Sequence, residues 1–171
     1  MKEINDIKMY EQKLFSLADK YVEKQLDGNT ELVRENFRDM ILFIADQTEQ
    51  LDNADIETLD KWFKTYVRLC VRYNKLPTLQ CFSWLIKINL KTLMNWNNQE
   101  QELGSSYGST VEKWFNTCKD FVVDELLNSN YANPNLVFVA ETVYGISKMD
   151  INLETKSILA AKNLPKLGER Q

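Results

Sequence analysis

Histidine is absent from all 171 residues. Its absence excludes Ser-His-Asp and Cys-His catalysis, imidazole metal ligation and a histidine pH switch. Glycine and proline are scarce, five and three residues, so collagen-like, linker-like and disordered readings fall away. The longest unbroken apolar run, Met40 to Ala45, is six residues, far short of the ~20 that cross a bilayer. The opening residues Met1-Lys2-Glu3-Ile4-Asn5-Asp6 hold no signal-peptide apolar region. There are three cysteines, Cys70, Cys81 and Cys118. Their odd number, lack of a CxxC pair and apolar surroundings predict reduced core thiols of a cytoplasmic protein. No phosphate-binding loop, GxGxxG or carboxylate cluster with metal-ligand spacing occurs. Catalytic residues, cofactors and metals are therefore not expected.

What the chain does have is uneven charge. The net charge of −4 averages three different regions. Residues 1–60 hold seven basic and fifteen acidic residues, net −8. Residues 61–99 hold seven cations and no carboxylate, and residues 100–171 carry net −3. Segregation of this kind predicts an electropositive surface on an acidic body. The alternative is internal pairing of that segment with the acidic N-terminal part.

Apolar spacing is helical throughout and predicts an all-α fold. Ile4, Ile7, Leu14, Ala18, Tyr21 and Val22 mark a first helix stopped by Gly28-Asn29. A second runs from about 30 to 50, and a third, capped by Asn53 or Asp55, extends to about Asn74. Two short helices are expected near 78–86 and 90–98. Gly104-Ser105-Ser106-Tyr107-Gly108 reads as a flexible linker, and Ser109-Thr110-Val111-Glu112 as a capping box opening a long helix. Asn133-Pro134 starts a last helix that Gly145 stops. From Ser147 onward the pattern reads as a tail or a partner-binding arm. This divides the chain into acidic N-terminal helices (1–52), a basic helix plus helix-turn-helix DNA-binding region (53–100) and a C-terminal helical region with a tail, suited to oligomerisation or partner binding (101–171).

Lys61, Lys64, Arg68, Arg72 and Lys75 are spaced 3, 4, 4 and 3. On a helix they share an arc of roughly 80°, opposite Phe63, Tyr66, Val67 and Cys70. A free row of five cations could neutralise several phosphates. The following run, Pro77 to Trp96, has the layout of a helix-turn-helix, with Leu79, Phe82, Ile86, Ile88, Leu93 and Trp96 at interior spacings. Projecting 90–98 as a helix puts Leu90, Leu93, Met94 and Trp96 on one side and Lys91, Thr92, Asn95 and Asn98 on the other. The polar side carries groups that read base edges. Adding Thr78, Lys87 and the cap Asn89 completes the expected DNA-binding set.

Pro77, Thr78, Phe82, Ile88, Thr92, Leu93 and Trp96 follow the order found in the helix-turn-helix of small terminase (DNA-packaging) subunits of tailed phages and related mobile-element proteins, which this run resembles. Asn89 stands where that pattern has a serine cap, and Lys87 where it has the turn glycine. Asn133 to Gly145 looks like the aromatic-Gly segment that follows in those proteins. The resemblance implies a noncatalytic, cytoplasmic subunit in a bacterial host. Such a subunit would recognise double-stranded DNA, form homo-oligomers and hand DNA to a large terminase subunit or other phage protein. Two alternatives accompany it. One is a phage or plasmid transcription or replication regulator with the same motif. The other is an interaction or inhibitor protein whose Asp19, Glu23, Asp27, Glu31, Glu35, Asp46, Glu49 and Asp52 mimic DNA phosphates.

Overall fold

A computed structural model describes residues 2–98, 105–128 and 133–146. Its described residues form seven α-helices and a single 3-10 turn, with no strand among them. The fold is all-α. The chain divides into two compact units, residues 1–118 and 119–171.

Helix α1 (Lys2–Gln25) buries Leu14, Ala18, Tyr21 and Val22, one stripe at helical spacing. Its end is set by backbone geometry. Gly28, at φ +77°, donates its N–H to the Val22 carbonyl at 3.0 Å. The left-handed conformation is cheap for a residue without Cβ and satisfies a terminal carbonyl. A 3-10 turn (Thr30–Leu32) capped by Asn29 leads into α2 (Val33–Asp46). The second helix is shorter than the spacing suggested and is kinked at Asn36, whose side chain donates back to the Leu32 carbonyl at 2.9 Å. α3 (Ile56–Arg72) begins where Asp55 accepts the Thr58 N–H at 2.9 Å. Helix α1 packs on both α2 and α3, and α2 packs on α4 (Leu79–Ile86).

The centre of the first unit is aromatic. Phe63 stacks on Trp114 with centroids 5.4 Å apart, and Phe82 meets both edge-on at 5.0 and 5.2 Å. Tyr66 lies 5.6 Å from Phe82. Trp114 Nε1 donates to Asp60 at 2.9 Å, and Lys64 closes on the same carboxylate at 3.0 Å. Burial pushes the Asp60 carboxyl up, but the Trp114 and Lys64 hydrogen bonds and the charges of Lys64 and Lys113 outweigh it, holding the group below the ordinary carboxylate value. A carboxyl depressed on folding stabilises above its unfolded pKa, and that contribution is lost as pH falls through the folded one. Urea unfolding should therefore show the wild type losing stability below about pH 4, with a shallower loss in Asp60→Asn.

All three cysteines are free thiols; Cys70 and Cys118 are buried and Cys81 is half-buried. Burial drives the Cys70 thiol well up and the Cys118 thiol up to about 12, so both are protonated at neutral pH.

The expected linker is corrected. Residues 105–108 are helical, because α6 runs from Ser105 to Asn128 and starts before the Ser109 capping box. The Tyr107 hydroxyl donates to the Ala54 carbonyl at 2.6 Å and its ring meets Trp96 edge-on at 5.4 Å, while Gly108 is buried. These contacts outweigh the local cost of glycine and serine in a helix. Gly104 and the stretch from Ser147 lie outside the described residues.

In the second unit, α7 (Pro134–Tyr144) has the expected ends. The Asn133 side chain accepts the Asn135 N–H at 3.0 Å, and Gly145 closes the helix at φ +63°. Ala140 and Ile146 are buried there, whereas Phe138 and Val143 are exposed.

Candidate nucleic-acid interface

Helices α4 and α5 (Leu90–Asn98) are joined by only three residues, Lys87, Ile88 and Asn89. The start of α4 is fixed twice. Thr78 Oγ1 accepts the Cys81 N–H at 3.2 Å. The Tyr66 hydroxyl accepts the Thr78 N–H at 3.0 Å and donates to the Thr78 carbonyl at 3.1 Å. α4 ends at Lys87, which adopts the left-handed conformation at φ 57°, ψ 31°. That conformation costs a residue with a Cβ roughly 1–2 kcal/mol. Ile88 then donates its N–H to the Ser83 carbonyl at 3.1 Å and buries its side chain, and Lys87 Nζ reaches the Thr48 carbonyl at 2.8 Å. So lysine takes up the geometry expected of glycine, and its own side chain ties the turn to the end of α2.

Asn89 opens α5 by accepting the Lys91 N–H at 2.8 Å. Phe82, Leu85, Ile86, Ile88 and Leu93 are buried between the pair and the core. Leu93 faces inward, Lys91 and Asn95 are exposed, and Leu90, Thr92 and Met94 are half-buried at the rim of the same face. Two expectations change here. Leu90 and Met94, assigned to the inner side by the projection, keep exposed surface. Trp96 is half-buried against Tyr107 instead of enclosed. Hydrophobicity alone could not separate the rim from the core; a finer signal was the 100° step from Leu93, which sets Met94 and Leu90 to one side of it.

The row of five free cations expected on α3 is corrected. Arg68 is paired with Glu11 and Arg72 with Asp19, the latter at 2.6 Å, both partners being on α1. The Arg72 guanidinium also lies over the rings of Phe15 at 5.0 Å and Tyr73 at 5.4 Å. Lys64 is held by Asp60, and Lys61 is half-buried. Packing α1 along α3 brings its carboxylates onto that face, so the internal pairing weighed above holds for both arginines. Lys75 is half-buried beyond the end of α3. Thr78, half-buried, is used as a cap, and Asn98 closes α5 with its side chain outside the described residues.

Replacing Arg68 or Arg72 by alanine should therefore act mainly on folding. An exposed ion pair is worth up to about 1 kcal/mol, with roughly 0.5–1 kcal/mol added for a cation–π contact at Arg72. Thermal melts should show a larger loss for Arg72→Ala than for Arg68→Ala.

An open groove of about 640 Å³ runs between the end of α2 and the α4–α5 turn, lined among others by Leu42, Asp46, Gln80, Trp84, Lys87 and Leu90. Among the described residues, no cluster of three or more His, Cys, Asp or Glu side chains could hold a metal ion, and no helix is long and apolar enough to cross a membrane. No family model, curated protein or solved structure matches the chain.

Proposed function

We propose that this chain is a noncatalytic double-stranded-DNA-binding protein that lays α5 in the major groove. The observation that carries the reading is the α5 outer face: Lys91 and Asn95 are exposed on a helix locked at Leu93 and Ile88, and the flanking sequence from 61 to 99 has no carboxylate. A rigid helix with amide and ammonium groups on its outer side can bond base edges. The N-termini of α4 and α5, with Lys75, Lys87 and Lys91 near them, supply the attraction for phosphates.

The resemblance of Pro77–Trp96 to small terminase subunits gives this DNA binding its form. The chain would mark a phage or mobile-element site in the bacterial cytoplasm, assemble with further copies and pass the DNA to a large subunit. A regulator of transcription or replication would use the same contacts.

The test is selection of bound fragments from the encoding element's genome at near-physiological salt, followed by titration of the best fragment. A defined site should emerge. With about three cations at phosphates, the slope of log K against log salt should be about −3. Arg68→Ala and Arg72→Ala should leave that slope unchanged. Absence of any fragment enrichment would sink the reading. Tight binding to a basic protein in its place would favour the phosphate-mimic reading, which exposed Glu31, Glu35, Asp46, Glu49 and Asp52 support.

A further inference from the structure

Resting on that reading, we infer that the site recognised by α5 is built of A·T pairs, with thymine methyl groups packed against Leu90 and Met94. The inference follows from which side chains the outer face offers and which it lacks. Guanine is read most often by arginine, bonding O6 and N7 together, and cytosine N4 donates to a carboxylate. No arginine occurs between Arg72 and Arg170, and no acidic residue between 61 and 99. Lys87 could approach guanine only by giving up its bond to the Thr48 carbonyl. Lys91 is left as the one lysine or arginine of α5.

For an A·T pair the same face is well supplied. Asn95 is exposed and can pair with adenine N6 and N7 through both ends of its amide. Leu90 and Met94 follow one another by a helical turn, at positions 40° apart around the axis, and both are half-buried on the rim of the outer face, Met94 one 100° step from Asn95. Thr92 contributes a methyl on the opposite rim. Apolar side chains flanking an amide match the major-groove edge of A·T steps, where the thymine C5-methyl sits beside the adenine acceptor and donor. On a G·C pair the same apolar groups would cover polar base edges without bonding them, at a desolvation cost.

The experiment uses the full chain and a pool of duplexes with a random core. Enriched cores are expected to be dominated by A·T pairs. The best core is then compared with one in which deoxyuridine replaces thymidine, removing only the major-groove methyl. Affinity should fall about fourfold for each methyl in contact, and Met94→Ala should shrink the difference between the two duplexes. Because the methyl lies in the major groove, a preference arising from a narrow A·T minor groove would survive that replacement. Enrichment of G·C-rich cores, or equal binding of the thymidine and deoxyuridine duplexes, overturns this inference and leaves DNA binding standing. No enrichment of any core overturns the DNA-binding reading and this inference together.

Discussion

Trp114→Ala is expected to destabilise the 1–118 unit by about 3–5 kcal/mol. The indole is fully buried and joins three helices of that unit: it stacks on Phe63 of α3, takes the edge of Phe82 from α4, and donates to Asp60. Alanine would leave a cavity bounded by rings that cannot collapse into it, because each is already held by another partner. It would also strip the partly buried Asp60 carboxylate of its indole donor. For a chain of this size the loss corresponds to a melting-temperature drop of about 6–20 °C, measurable by circular dichroism. Trp114→Phe keeps the stacking and forfeits the N–H, so it should fall between the two. If Trp114→Ala melts like the wild type, the aromatic centre is not where the unit derives its stability.

The second large effect concerns recognition. Asn95→Ala and Lys91→Ala should each weaken binding to the selected site by about 1–3 kcal/mol, roughly fivefold to more than a hundredfold. Asn95→Ala should relax sequence preference, whereas Lys91→Ala, removing a phosphate cation, should weaken all sequences alike. Both side chains are exposed, so thermal stability should stay within about 0.5 kcal/mol of the wild type. Loss of affinity with an unchanged melt separates a reading residue from a structural one. Affinity unchanged in both variants would remove α5 from the interface.

Local chemistry made much of this fold legible. Gly28, Asp55, Asn133-Pro134 and Gly145 each end or begin a helix for reasons contained within a few residues: a left-handed turn, an accepting side chain, a fixed proline φ. The interior of α4–α5 was equally readable, since Phe82, Ile86, Ile88 and Leu93 recur at spacings that only an inward face explains. What stayed hidden depends on distant partners. Glu11 and Arg68 are separated by 57 residues and Asp19 and Arg72 by 53, so the sequence shows the charges without their pairing. The helical state of Tyr107-Gly108 likewise depends on Ala54 and Trp96. Lys87 adopts a left-handed conformation alongside its bond to the Thr48 carbonyl and the burial of Ile88, and neither contact is evident from the turn residues themselves.

The paired hydrogen bonds between the Tyr66 hydroxyl and Thr78 have a kinetic consequence. Burial pushes the Tyr66 hydroxyl well above its ordinary pKa, so it stays protonated and keeps donating while it accepts. The Thr78 amide can therefore meet solvent deuterium only when a fully enclosed ring leaves its seat on α3, an event close to complete unfolding. In native-state exchange the entrance to α4 should be among the slowest amides of the molecule. The Lys91 amide at the beginning of α5 is held by the exposed Asn89 side chain and needs only a local opening, so it should exchange much sooner.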